Sequence, residues 1–274
     1  MRQTSIVLCA RIVLITAGLA GVCEADLTDG VVAYYPFSGN ADDMGIYSHD
    51  GVVHGAVLTT DRHGNPNSAY YFDGGGDYIS ASATGLPTGE RTVALWFNAV
   101  TLTTRPNLVG YGGGGYVGGG TSWLMGINHW GHLAMDMTCH WGTNTIEYYY
   151  GATPPVEAWY YYAITTDPTG TKLYVNGDLK ASNTKFVNNT IVTGKNLAIG
   201  VAVSTVGVAP YQDGNTGYFR GVIDEVGIWN RALSQAEIQQ LMQTDLSVVP
   251  VPGAALLGAI GLSFAGWRLK RRTD

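Results

Sequence analysis

Disulfide bonds are the first thing the sequence rules out. The chain has 3 cysteines in 274 residues. Two of them, Cys9 and Cys23, lie in an N-terminal stretch that reads as removable. Cys139 alone remains, so no intrachain disulfide staples the mature protein and its stability must rest on a core. A lone cysteine in a strand-like run reads as a small buried hydrophobe. Charge is also scarce, at 13% of residues against ~25% in an average domain. With 46% hydrophobic and 11% aromatic residues, the scarcity of charge does not signal disorder, which is poor in aromatics. A coiled coil, rich in Ala, Glu, Lys, Leu and Arg, is excluded by the same composition. Basic residues are the rarer sign. Between residues 26 and 249 nine of them face nineteen acids, a net charge of −10. Such a surface repels phosphate backbones and argues against nucleic acid as a partner. What is abundant is glycine, 38 residues, about twice the average usage.

The long apolar runs sit at the two chain ends. Arg2 and Arg11 precede the nine-residue run 12–20, and small residues around Cys23 and Ala25 follow. This is the layout of a secretory signal peptide, with cleavage expected after Ala25. A lipoprotein signal using Cys23 is the alternative, against which stands the bulky Val22. At the other end, residues 248–267 form 20 positions without a charge. At ~1.5 Å per helical residue that matches one hydrocarbon core, so a transmembrane helix is expected there. Arg268, Lys270, Arg271 and Arg272 follow, which by the positive-inside rule keeps the preceding domain outside. Val249-Pro250-Val251-Pro252, the Gly/Ala/Leu stretch and the basic tail together resemble the PEP-CTERM sorting signals of bacteria that use exosortases. Val251 stands where the usual motif has Glu. The resemblance implies transient membrane anchoring, processing near 250–252 by an exosortase-type enzyme, and release or attachment in the cell envelope or outside it. A plain tail anchor is the alternative. The expected organisation is therefore a signal at 1–25, one domain at 26–245 and a sorting segment at 246–274.

Inside the domain helical periodicity is nearly absent. Residues 91–99 alternate, with Val93, Leu95 and Phe97 on one face and Trp96 on the other. Residues 159–165 are aromatic and β-favouring. Residues 172–175 and 178–181 flank Asn176-Gly177, a turn whose positive φ angles suit a hairpin. Further strands are expected at 31–37, 51–58, 69–72, 78–81, 123–127, 132–137, 145–150, 197–200 and 219–229. About a dozen short strands with Gly, Asn and Asp turns predict two packed antiparallel sheets. One helix is expected after Ser234-Gln235-Ala236-Glu237, a capping box followed by Ile238, Leu241 and Met242 at helical spacing.

These segments fall into a familiar order. Val31-Val32-Ala33-Tyr34-Tyr35-Pro36-Phe37-Ser38-Gly39-Asn40-Ala41-Asp42-Asp43 resembles the opening strand of LamG-like, concanavalin A-like jelly-roll domains. Thr59-Thr60-Asp61-Arg62-His63-Gly64-Asn65, Ala69-Tyr70-Tyr71-Phe72-Asp73-Gly74 and Asp77-Tyr78-Ile79 fit the same family. So do the strand from Trp159, Leu173-Tyr174-Val175-Asn176-Gly177, and the run from Gly221 through Asp224 and Trp229 to Ser234. The resemblance implies an all-β jelly-roll sandwich over nearly all of 27–244. Met44-Gly45-Ile46-Tyr47-Ser48 departs from the family pattern. In the resembling folds a structural Ca²⁺ commonly sits between the first and last strands. Hard cations take oxygen ligands, so the resemblance implies calcium held by Asp224 and Asp43, with Asn40 or nearby carbonyls completing the site. The alternative gives Asp224 a structural role, paired with Arg231.

Catalytic chemistry is mostly missing. A glycoside hydrolase needs two carboxylates ~5–9.5 Å apart. The Glu-x-Asp-x-x-Glu pattern of laminarinase-like enzymes does not occur. Adjacent Asp224 and Glu225 are expected on opposite faces of a strand, and Asp73 and Asp77 flank a glycine turn. Asp136 with Glu147, on different strands, stays open as a pair. His129, His132 and His140 read as loop and surface residues rather than a zinc site. The glycine runs at 112–115 and 118–120 lack the Lys-Ser/Thr ending of a phosphate loop. The expectation is a secreted, surface-exposed binding or adhesion module without catalytic residues, whose partner is an exopolysaccharide or another matrix component. Sugar faces need aromatic platforms beside a few fixed polar groups. Trp130, Trp141, Tyr148 and Tyr150 are the candidate ligand-binding residues. An extracellular polysaccharide hydrolase or lyase, or a purely structural matrix protein, is the alternative.

Overall fold

The structure, a computed structural model, describes residues 26–101, 105–113, 122–127, 135–136, 146, 148, 156–184, 190–204, 207–210 and 216–246. The signal segment expected at 1–25 and all but Leu246 of the sorting segment expected at 246–274 lie outside the described residues. Among the described residues no helix is long and apolar enough to cross a membrane.

The chain forms two stacked sheets. The larger contains β1 (Val31–Tyr35), β3 (Val57–Thr59), β4 (Ala69–Asp73), β6 (Arg91–Ala99), β10 (Trp159–Asp167), β11 (Gly170–Val175), β12 (Asp178–Asn183) and β15 (Arg220–Trp229). Its order is β12-β11-β10-β6-β15-β4-β3, and β1 also pairs with β15. The smaller contains β2 (Val52–His54), β5 (Tyr78–Ser82), β7 (Arg105–Gly112), β8 (Ser122–Ile127), β9 (Met135–Asp136), β13 (Asn196–Ile199) and β14 (Thr216–Gly217). Its order is β2-β5-β13-β7-β8-β9, with β14 parallel to β7. The other strand pairs among the described residues are antiparallel. The expected jelly-roll sandwich is present.

Side-chain alternation builds the core. Val93, Leu95 and Phe97 of β6 and Tyr160, Tyr162 and Ile164 of β10 point inward. They meet Ile79, Val109, Tyr111, Trp123, Met125 and Ile199 from the smaller sheet. Strand period 2 makes this division automatic once one face is apolar. The β11–β12 hairpin turns at Asn176 and Gly177, with φ of 51° and 77°, as the sequence pattern predicts. The expected strand 51–58 is split. Gly55, at φ 80°, carries the chain from β2 in the smaller sheet to β3 in the larger, and a Cβ there would collide with the Asp77 carboxylate.

The capping box forms as expected. Ser234 Oγ accepts from the Glu237 amide at 3.3 Å, and Glu237 Oε2 accepts from the Ser234 amide at 2.7 Å. It starts α1 (Gln235–Leu241). The helix stays outside the inter-sheet core. It lies on the outer face of the larger sheet, where Ile238, Leu241 and Leu246 pack with Leu27, Tyr34, Tyr161, Tyr174 and Trp229. Trp229 Nε1 donates to the Leu27 carbonyl at 2.8 Å, which fixes the two ends of the domain side by side.

Candidate functional site

Among the described residues, two regions hold chemistry. The first is a charged cluster beneath the C-terminal segment. β15 carries an irregularity between Asp224 and Gly227, and Glu225 sits there at φ 49°. This one bulged residue lets Ile223, Val226 and Ile228 all face the core. It also turns Asp224 and Glu225 to the same side, against the expectation that adjacent acids point apart. Strict alternation fails because a bulge inserts an extra residue into one strand. Arg62, from the loop before β4, bonds Asp224 at 3.1 Å, Glu225 at 3.0 Å and Asp245 at 2.5 Å. Its guanidinium lies 4.9 Å from the centre of the Trp96 ring, a cation–π contact. The Asp224 side chain is 2% exposed and that of Arg62 is 7%.

Burial governs protonation in this cluster. Desolvation pushes the Asp224 carboxyl up to about 7 although Arg62 pulls it down. It pushes Glu225 up to about 9, helped by a hydrogen bond with Asp245. Burial works on Asp245 in the same direction, but the Glu225 hydrogen bond and Arg62 hold it below the usual carboxylate range. Glu225 thus keeps a proton at neutral pH and shares it with ionised Asp245. Arg62 thus ties Asp245 of the C-terminal segment, 37% exposed at the rim, to the buried acids of β15.

The expected calcium ligands have separate partners. Asp224 belongs to Arg62 and not to Arg231, which instead bonds Glu237 at 2.6 Å. Asp43 Oδ1 accepts from the amides of Tyr34 and Gly45, both at 2.8 Å, and Oδ2 from the amide of His49 at 3.0 Å. Asn40 donates to Asp42 at 2.6 Å. Among the described residues no three His, Cys, Asp or Glu are gathered to hold a metal.

The second region is the outer face of the smaller sheet. β5 alternates, with Ile79 and Ala81 inward and Tyr78 and Ser80 outward. β2 pairs with β5 so that His54 is opposite Tyr78. Their rings stack at 4.2 Å with 9° between planes, and Tyr218 extends the row 6.4 Å beyond Tyr78. Tyr78 and Tyr218 rest on an apolar layer of Leu124, Ala198, Val201 and Val203, and Ser80 Oγ lies 3.0 Å from His54 Nε2. All three rings are half-buried, so part of each aromatic surface meets solvent. A side chain at Gly110 of β7 would run into Leu124. The result is a supported aromatic platform with hydroxyl and imidazole groups at its edge, the composition of a sugar-binding face.

Of the expected ligand-binding residues, Trp130, Trp141 and Tyr150 lie outside the described residues, as do His129, His132, His140, Cys139 and Glu147. Tyr148 is described and packs, half-buried, against the inter-sheet core. The sequence does not single out the platform residues, although Tyr78 alternates visibly with Ile79. Its partners come from β2 and from the segment before β15, and only the pairing of strands unites them.

The family model described as the concanavalin A-like lectin/glucanases superfamily (Laminin_G_3) matches residues 73–239, more than half of the chain. The chain belongs to this superfamily. Solved structures share the fold at low identity. Domain 4 of AbnA, a GH43 extracellular arabinanase from Geobacillus stearothermophilus solved with arabinotriose, is 18% identical with a TM-score of 0.59, covering 77% of this chain and 97% of that one. The receptor-binding domain of botulinum neurotoxin D is 17% identical with a TM-score of 0.57, covering 79% and 53%. The serotype D ligand-binding domain in complex with N-acetylneuraminic acid is 18% identical with a TM-score of 0.57, covering 79% and 51%. The chain thus spans about half the length of these two binding-domain chains. No curated protein matches the sequence.

Proposed function

We propose that this protein is an exported, non-catalytic carbohydrate-binding module that holds its glycan on the outer face of the smaller sheet. The observation that carries this reading is the supported row of His54, Tyr78 and Tyr218. Pyranose and furanose rings present C–H faces that pack on such surfaces, while hydroxyls reach the polar groups alongside. The neighbours solved with arabinotriose and N-acetylneuraminic acid support it at the level of fold. Export through residues 1–25 and sorting through the 246–274 segment belong to the same reading and rest on the sequence patterns alone. The glycan-bearing matrix outside the cell is the partner this implies.

The absence of turnover is part of the reading. The acids gathered by the β15 bulge are largely buried and ion-paired to Arg62, an arrangement that disfavours the open carboxylate pair a hydrolase needs. A glycan array probed with the purified 26–246 domain is expected to give selective binding, and the bound oligosaccharides are expected to be recovered intact. Release of reducing sugar, lost in Asp224→Asn, would establish the hydrolase instead.

Calcium is tested separately. Because Asp43 and Asp224 have protein donors on their oxygens, we expect the same melting temperature in calcium and in EDTA. A cation bound to the native state alone adds RT ln(1 + [L]/Kd), ~2.7 kcal/mol at a hundredfold excess, which is ~5–10 °C for a domain of this size. A rise of that order, lost in Asp43→Ala, would restore the ion to the first-strand loop.

A further inference from the structure

The layer beneath α1 takes only part of the larger sheet's outer face, with Tyr161, Ala94 and Trp229 among its members. Two residues further back along β10 a second row is left open. Trp159 of β10 is opposite Asn98 of β6, and Asn98 is opposite Val222 of β15. Val222 is in turn opposite Tyr71 of β4, and Tyr71 is opposite Val57 of β3. Their neighbours along the strands, Tyr160, Phe97, Ile223 and Phe72, fill the inter-sheet core, so alternation turns this row outward. Four of the five are half-buried, and Val57 is 56% exposed. From Trp159 to Tyr71 is three strand spacings, ~14 Å at ~4.8 Å each. The solvent face of an antiparallel sheet is ordinarily polar. Here it carries two aromatic rings that pack into none of the clusters formed by the described residues.

The polar groups of this row are unspent. Among the described residues the Trp159 indole, the Asn98 amide and the Tyr71 hydroxyl have no hydrogen-bond partner. Arg220 lies two residues before Val222, on the same side of β15, and is exposed. Its guanidinium makes no ion pair among the described residues, whereas Arg62 and Arg231 are committed to internal acids. Asp73 is opposite Arg220 on β4, but its carboxylate accepts from the Gly75 amide at 2.6 Å instead. We propose that this row is a second glycan site, on the other side of the sandwich from the His54–Tyr78–Tyr218 platform and independent of it. Its ligand is an acidic polysaccharide whose sugar carboxylate pairs with Arg220. Charge complementarity selects the class. Residues 26–249 carry a net charge of −10, so an exposed guanidinium without an internal acid is free to meet an anion. The guanidinium fork matches a carboxylate in two hydrogen bonds. Trp159 and Tyr71 take the C–H faces of sugar rings, and Asn98 between them meets hydroxyls. A domain with one site on each sheet joins two glycan chains, and gains avidity wherever both are held in one matrix.

The test titrates tetrasaccharides of galacturonate, mannuronate and glucuronate into the full chain in detergent, each beside its methyl ester. The site predicts that at least one acid binds about tenfold tighter than its ester, the worth of a hydrogen-bonded contact to a charged group. Arg220→Gln is expected to abolish that preference while the melting temperature holds, because the side chain is exposed. Trp159→Ala is expected to weaken acid and ester alike by about tenfold, as loss of an aromatic anchor does. Tyr78→Ala is expected to leave the affinity for the acid at its wild-type value. Equal binding of acid and ester overturns the proposal, and so does a preference that survives Arg220→Gln. Absence of binding by all three acids overturns it too, and leaves the platform of the smaller sheet untouched. Loss of the acid in Tyr78→Ala, with full binding in Arg220→Gln, would give the ligand to the platform and overturn the second site alone.

Discussion

Replacing Arg62 by Met lowers the melting temperature by about 6–20 °C at pH 8. Arg62 is the shared partner of Asp224, Glu225 and Asp245, and its side chain is almost wholly inside. Removing one member of a buried ionic group leaves the others desolvated and uncompensated, a cost of ~3–5 kcal/mol. In a domain of this size each kcal/mol moves the transition by ~2–4 °C. Packing of the guanidinium on Trp96 is lost as well, although Met retains part of the apolar contact. The loss shrinks at acid pH, where Asp224 takes up a proton and no longer needs a cation, whereas Glu225 already holds most of its proton at pH 8. Lys180→Met is the comparison, because its partner Asp178 is 65% exposed and such surface pairs contribute ~0–1 kcal/mol. Differential scanning calorimetry of both variants at pH 5 and pH 8 decides. An Arg62→Met loss no larger than that of Lys180→Met would mean that the cluster does not hold the C-terminal segment down.

The same cluster sets the pH profile of the whole domain. Glu225 ionises near 9 in the folded protein against an ordinary value of 4.5, and Asp224 near 7 against 3.8. Between the unfolded and folded values the native state holds more protons than the unfolded state. Stability therefore falls as pH rises through that window. The contribution of Asp224 is lost between about pH 4 and 7, and that of Glu225 continues to be lost up to about pH 9. Asp245, Glu237 and Asp61 have lowered values and act oppositely, losing stability only as pH drops into the carboxylate range. The expected profile is a maximum in mildly acidic solution and a steady decline toward pH 9. Glu225→Gln keeps a donor for Asp245 without a proton to lose, so it flattens the decline above pH 7. A melting temperature that climbs from pH 5 to 9 would contradict the assignment. So would an unchanged slope in Glu225→Gln.

Much of the fold is legible in the sequence because burial imposes simple periods. The alternation of Val93, Leu95 and Phe97 marks β6 at its observed bounds. The Asn176-Gly177 hairpin and the Ser234–Glu237 cap rest on local chemistry and form as expected. β7 is not legible. Its sequence, with Pro106, Gly110 and Gly112, carries turn residues, yet Gly110 is there because Leu124 of the neighbouring strand fills its place. That reason resides in a partner strand and leaves no periodic trace. The β15 bulge is a second case. Asp224 stands out in the sequence as a special acid, but its partner does not, because Arg62 lies far away in the chain and only the pairing of β15 with β4 brings the two together. The aromatic platform is hidden for the same reason. Tyr78 alone is one more half-buried strand residue, and it becomes a site when β2 sets His54 against it.

The most direct test is isothermal titration of the strongest glycan-array ligand into wild type, Tyr78→Ala and Trp229→Phe. Tyr78 is the middle of the proposed platform, whereas Trp229 lies on the outer face of the opposite sheet beneath α1. Truncating a central aromatic anchor typically costs ~2 kcal/mol or more, or about thirtyfold in Kd. The account predicts a loss of that size in Tyr78→Ala and unaltered affinity in Trp229→Phe. Full-strength binding by a folded Tyr78→Ala protein would contradict it and move the site off the smaller sheet's outer face.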